Sequence, residues 1–202
     1  MLITIILDVL KAAKAVKPQK EKMNNCKPKL SKDIYYNKND RSEKMNVNKY
    51  EFRKLNKEEF CKASDLIWSV FNEFEAPEYS KEGIYTFKEF INSDRLYENS
   101  EKGFMNFYAC FHQEKLIGII ASRESCHISL LFVKKEYHHK GIARELFNKL
   151  KMEIIENNPN TRCITVNSSP FAVYIYMKLG FIPTDEEQIR DGLRFTPMKY
   201  VL

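Results

Sequence analysis

The sequence has no C-x-x-C pair, no histidine placed at metal-ligand spacing from other ligands, and no apolar run long enough to cross a bilayer. Its five cysteines, Cys26, Cys61, Cys110, Cys126 and Cys163, are odd in number and scattered. That argues against a disulfide framework and predicts a reduced, cytoplasmic protein. Cys61, Cys110 and Cys163 are expected to act as small core hydrophobes. Met1 to Leu10 is apolar, but it is only about half the length of a bilayer-spanning helix. Its lysines follow it, the wrong order for a signal peptide. No membrane partner is expected. His138 and His139 are adjacent but lack a third ligand spaced for them, so no metal is expected.

Charge of one sign is also missing from most of the chain. Of the formal net charge of +6, all lies in residues 1–44, with 11 Lys/Arg against 5 Asp/Glu; residues 45–202 hold 22 of each. The larger part therefore carries no field that would argue for nucleic acid, and no such partner is expected. Residues 1–44 are rich in Lys and Asn and show no sustained period, which predicts a basic, disordered N-terminal extension. A basic arm for nucleic acid or membrane is the competing reading. Met45 reads as a true or alternative translation start, with one domain over residues 45–202.

What is present is a sequence of periodic segments. Tyr50 and Phe52 alternate with charged residues as a first strand. Asn56 with Glu59 forms a capping signal for a helix whose apolar stripe is Phe60, Ala63, Leu66, Ile67, Val70, Phe71 and Phe74. The acidic loop from Glu73 to Glu78 ends it, and Ser80 caps a second helix with Ile84, Phe87, Phe90 and Ile91 on one face. The period then becomes two. Strands are predicted over residues 104–111, 116–122 and 127–133, forming an antiparallel meander. A helix over 142–155 leads to a fifth strand at 162–166, a crossover that makes that strand parallel to the one before the helix. Ser169 and Pro170 start a further helix, Gly180 ends it, and Leu193–Val201 completes a final strand pair.

The turn His138-His139-Lys140-Gly141-Ile142-Ala143-Arg144 joins a strand to the start of a helix. A helix start with unpaired backbone N–H groups and the positive dipole end suits an anion, and Lys140 and Arg144 add charge there. Taken alone, a plain tight turn explains it as well. A second stretch follows, from Asn167 through Ala172, Tyr176, Lys178 and Gly180 to Phe181.

With both motifs in view, residues 47–202 resemble the GNAT acetyltransferases, which move an acetyl group from acetyl-CoA to an amine. The family's Arg/Gln-x-x-Gly-x-Gly/Ala turn is matched at His138-x-x-Gly141-x-Ala143, after Leu131-Phe132-Val133. Its Asn…Ala-x-x-x-Tyr-x-Lys-x-Gly-Phe segment is matched from Asn167 to Phe181. The resemblance implies an α/β fold: a mixed, mostly antiparallel sheet with a splayed parallel central strand pair and flanking helices. It also implies acetyl-CoA as co-substrate. Binding is expected at Leu131, Phe132 and Val133, at His138, His139, Lys140, Gly141, Ile142, Ala143 and Arg144, and at Asn167, Ser169 and Lys178. His138 departs from the family's Arg or Gln, so the backbone N–H groups are expected to carry the pyrophosphate.

Tyr176 falls at the family position of the acid that protonates the departing sulfur. Its neighbour Tyr174 is expected to be a core residue. His127 aligns near a catalytic carboxylate of some relatives and has a suitable ordinary pKa for a base, with Glu75 and Glu73 as rivals. Glu73, Glu75 and Glu78 either attract a cationic amine or are simply solvated. The expected activity is N-acetylation of a small-molecule or peptide amine, with a catalytically silent acetyl-CoA-binding regulatory module as the alternative. A homodimer is a family habit that no residue here establishes.

Overall fold

The computed structural model describes residues 49–124, 126–190 and 192–202. The expected extension over residues 1–44 and the expected start at Met45 lie outside the described residues. One eight-stranded sheet runs β1-β2-β3-β4-β5-β8-β6, with β7 paired to β8. Its strands are β1 (Glu51–Arg53), β2 (Met105–His112), β3 (Lys115–Arg123), β4 (His127–Val133), β5 (Cys163–Ser168), β6 (Ile182–Pro183), β7 (Gln188–Arg190) and β8 (Leu193–Val201). All neighbours are antiparallel except β4 and β5. The expected fold is therefore the observed one.

Alternation sorts the strand side chains onto two faces. On one, Met105, Phe107, Ala109, Phe111, Ile119, Ala121, Leu130 and Phe132 form a cluster with α1 (Phe60–Phe74), α2 (Lys81–Phe90) and α3 (Ser93–Glu101). On the other, Ile117, Ile120, Ile128, Leu131, Val133, Ile164, Val166 and Met198 pack with α4 (Ile142–Asn157) and α5 (Val173–Leu179). The helix α4 sits close because β3 carries Gly118. A methyl there would lie 3.2 to 3.3 Å from Val133, Ile142 and Leu146 side chains.

The helix starts follow the sequence signals. The Glu59 carboxylate accepts the Asn56 N–H at 2.8 Å, opening α1 through a short 3-10 turn. Ser80 Oγ accepts the Gly83 N–H at 3.1 Å as the cap of α2. Helix α3 is not foreseen above. It is polar and buries only Leu96, and its start is held by the Asn92 side chain, which accepts the Asp94 and Arg95 N–H groups. The last helix ends as Gly180 predicts: the Phe181 N–H reaches back to the Tyr176 carbonyl, and the two rings meet at 5.0 Å.

Two residues are corrected by their placement. Cys61 is exposed, because it falls off the apolar stripe that begins at Phe60, and Cys163 is only half-buried on the open face of β5. Cys110 is buried as expected, and burial pushes its thiol up to about 12. Among the described residues, no helix is long and apolar enough to cross a membrane.

Candidate active site

The parallel pair is the feature that opens the sheet. The β4–β5 register consists of His127↔Thr165 and Ile128↔Val166 and stops there. The next residue of β4, Ser129, lies at a bulge: Ala121 of β3 faces Leu130 while Ser122 faces Ile128. Ser129 is buried, and its Oγ has no hydrogen-bond partner among the described residues. Beyond the bulge the two strands part and leave a slot.

Backbone parity decides which groups of β4 face that slot. The Lys134 N–H donates to the Ile117 carbonyl at 2.9 Å, and Gly118↔Val133 and Ile119↔Phe132 follow in antiparallel register. Alternation then turns the Phe132 backbone toward β3 and the Leu131 and Val133 backbones toward the slot. Phe132 is thus not part of the slot edge. Its side chain lies on the opposite face, 6.1 Å from the Phe87 ring.

At the end of β4 the chain makes a 3-10 turn (Lys135–Tyr137) and enters α4 through two left-handed residues, His139 at φ 59° and Gly141 at φ 76°. This conformation suits glycine and is strained for histidine. The first N–H groups of α4 have no partner within the helix, as at any helix start, and no side chain caps it. His139, Lys140, Gly141 and Arg144 are exposed, Ala143 is half-buried, and the Ile142 side chain is buried beneath them. Lys140 is folded back: its Nζ donates to the Glu136 carbonyl at 2.6 Å and lies 4.9 Å from the Tyr137 ring.

His138 behaves differently from the rest of the turn. Its Nε2 lies 2.8 Å from the Val133 carbonyl, so that nitrogen carries the proton and donates. Burial lowers the histidine's pKa, and the bond to Val133 opposes this. The ring is committed to the last carbonyl of β4, and it rests 5.5 Å from Phe74 at the end of α1.

On the other strand, Asn167 is half-buried and pairs with Pro197 of β8. Ser169 is buried, and its Oγ donates to Glu75 Oε1 at 3.1 Å. Tyr176 is 0 % exposed and shares the apolar cluster of Leu131, Val133, Ile164 and Val166. Tyr174 is 58 % exposed, the reverse of its expected place. Two residues along an α-helix turn the side chain through about 200°, so the face that buries Tyr176 turns Tyr174 outward. Lys178 is exposed, with its Nζ 4.8 Å from the Tyr174 ring. His127 sits at the closed end of the slot, its Nδ1 2.8 Å from Thr165 Oγ1.

The acidic loop resolves into unlike members. Glu73 is exposed and bonded by Lys135, and Glu78 is exposed and paired with Arg194 at 3.1 Å. Glu75 is 1 % exposed. The Arg194–Glu78 bridge fastens β8 to the loop before α2, and Arg194 also binds Glu187, just before β7, at 2.8 Å. From the sequence Glu75 stands only among the rival bases, and its bond to Ser169 is not foreseen there. The one signal available was a glutamate set between Phe74 and Ala76-Pro77 at a helix end.

Among the described residues, no three of His, Cys, Asp and Glu gather as a metal-binding group. No curated protein sequence matches the chain. Among solved structures, it is similar to the PaiA N-acetyltransferase of Thermoplasma acidophilum, solved in complex with coenzyme A. That match has 22 % identity and a TM-score of 0.64 over 76 % of this chain and 99 % of that one. A GCN5-related N-acetyltransferase of Rhodopseudomonas palustris matches at 17 % identity and a TM-score of 0.63, over 75 % of this chain and 95 % of that one. The spermidine N-acetyltransferase of Vibrio cholerae, solved with CoA and spermine, matches at 19 % identity and a TM-score of 0.53, over 76 % and 96 %. At these identities the structures speak for the fold. A family profile described as "Acetyltransferase (GNAT) domain" matches residues 75–202. With the splayed parallel pair, the left-handed turn after β4 and this match over more than half of its length together, the chain belongs to the GNAT acetyltransferase family.

Proposed function

We propose that the chain transfers the acetyl group of acetyl-CoA directly to an amine of a small molecule or peptide. Acetyl-CoA is the co-substrate; it supplies an acetyl carbon activated as a thioester. The observation that carries the reading is the pairing of two features at one end of one slot. The Leu131 and Val133 backbones face it, and the left-handed turn at Gly141 opens beside it. The residues fit the group: extended backbone for an amide-bearing arm, and an N–H array with exposed Lys140 and Arg144 for a pyrophosphate.

Each residue then has a task. The backbone N–H groups from His139 to Ala143 hold the phosphates, with Arg144 adding charge. Lys178 and Asn167 belong to the second wall. Leu131 pairs with the arm through both its N–H and its carbonyl. Val133 offers its N–H alone, because its carbonyl is taken by His138. Tyr176 donates a proton to the departing sulfur from the α5 side. His127 is the base that the resemblance suggests, at the closed end of the slot. The amine solved with the Vibrio cholerae relative, spermine, supports a cationic acceptor of this kind.

The test is coenzyme A release from acetyl-CoA across a library of primary amines and lysine peptides, with acetylation of the amine confirmed by mass. Turnover with at least one amine is expected. Acetyl-CoA binding without turnover on any amine would leave the silent binding module instead.

A further inference from the structure

We propose that a cleft between α1 and the β2–β3 turn, lined by none of the slot residues, binds a small zwitterion: an α-amino acid with an apolar side chain. The inference does not rest on the acetyl-transfer reading above.

Three elements build the cleft. On α1, Lys62, Asp65 and Leu66 fall at positions i, i+3 and i+4, one face of the helix. The β2–β3 turn and the start of β3 bring Glu114, Lys115 and Leu116 as a second wall. Lys134, the residue after β4, joins them; its N–H bond to the Ile117 carbonyl at 2.9 Å holds it beside the start of β3. The enclosed space is about 380 Å³, within the range of small-molecule sites.

Charge selects the ligand. Lys62 and Asp65 give the first wall one charge of each sign, Glu114 and Lys115 do the same for the second, and Lys134 adds a third cation. Elsewhere in the molecule opposite charges on neighbouring elements close into ion pairs, as Lys54 does with Glu153, Lys135 with Glu73 and Arg194 with Glu78. Around the cleft, among the described residues, none of the five side chains forms an ion pair or a hydrogen bond, and Lys134 stays so although half-buried. Lys62 also feels the charge of Glu59, but that carboxylate is already held by Arg53 at 2.8 Å. A simple anion in the cleft would lie beside two carboxylates, and a simple cation beside three ammonium groups. A ligand carrying both signs meets both sets with opposite charge. Its carboxylate goes to the lysines and its ammonium to Asp65 and Glu114. The buried Leu66 and Leu116 give its side chain an apolar floor.

The turn itself points the same way. His112 pairs with Lys115, which leaves a two-residue loop of Gln113 at φ 50° and Glu114 at φ 64°. Two left-handed residues are what such a loop needs, and Asn-Gly supplies them without strain. Gln-Glu does not, so the backbone carries strain while it holds a carboxylate at the cleft.

The experiment titrates the full chain, isotopically labelled, with L-leucine, N-acetyl-L-leucine and L-leucinamide and follows the backbone amide shifts. Leucine is expected to bind with a Kd at or below about 1 mM and to move the amides of residues 62–66, 114–116 and 134. Each analogue lacks one charge and should bind at least about tenfold more weakly, the scale of one hydrogen bond to a charged group. Equal affinity for either analogue overturns the zwitterion assignment. Shifts confined to residues 127–133 and 138–144 put leucine in the slot and are equally fatal, as is the lack of any binding. The double change Gln113→Asn with Glu114→Gly then separates site from fold. It should raise the thermal midpoint by about 2 °C or more as the strain is relieved, yet weaken leucine at least about tenfold. Unchanged leucine affinity in that variant removes Glu114, and with it the inference.

Discussion

The two sides of the slot are built from opposite materials. On the α4 side, the turn from His138 to Arg144 is largely exposed and cationic, and it offers backbone N–H groups. On the α1 side, the bridge at Phe74 and Glu75 is half-buried or buried, aromatic and anionic, and it meets the strands through side chains. A backbone site tolerates many side chains but not a change in backbone shape, whereas a side-chain site has the reverse weakness. Substitutions should therefore separate the two.

The largest effect is expected from Gly141→Glu. It places a side chain on a left-handed residue and a negative charge at the start of α4, where phosphate would sit. The Kd for acetyl-CoA, measured by calorimetry, should rise by at least about 100-fold, roughly 2.7 kcal/mol. Next comes Tyr176→Phe, which should lower kcat at least about tenfold in a thiol-release assay while acetyl-CoA affinity holds. Equal kcat in the two proteins would take Tyr176 out of the reaction. Gly118→Ala should destabilise the fold by about 1–3 kcal/mol in urea unfolding through overpacking against Ile142 and Leu146.

His138→Ala is the mildest. The ring is turned to Val133 rather than to the phosphate array, so acetyl-CoA affinity should change by no more than about threefold. A larger loss for His138→Ala than for Gly141→Glu would reverse the comparison. Its signature lies in stability instead. A histidine held below its ordinary pKa of about 6.5 takes up a proton more readily when unfolded. Its neutral form is fully accommodated above that value, and wild type loses stability as pH falls below it. The thermal midpoint of His138→Ala should fall less steeply from about pH 6.5 downward.

Much of this was legible in the chain. The apolar stripe of α1, the alternation of β2 to β4 and the caps at Ser80 and Gly180 are local signals, and each element appears where its signal lies. The turn and helix start at Gly141 were legible as well, because only their own residues build them; the left-handed conformation of His139 was not. Helix α3 was not: a polar segment that buries Leu96 alone has no stripe to read. Tyr174 and Tyr176 needed the helical phase, which the 3-10 turn over Pro170–Ala172 sets only in three dimensions. The meeting of Glu75 with Ser169 joins residues 94 apart. No local pattern encodes such a contact.

The bridge over the slot has one further consequence. Phe74 touches structures on both diverging strands, through His138 and Phe171, and Glu75 is its covalent neighbour. A ligand that widened or narrowed the gap between β4 and β5 would therefore bear on this bridge. A coenzyme and an amine that fill the slot together would thus be thermodynamically linked. By whatever factor acetyl-CoA changed the affinity for the amine, the amine would change the affinity for acetyl-CoA, and Phe74→Ala, which removes the ring between His138 and Phe171, is expected to weaken that reciprocity.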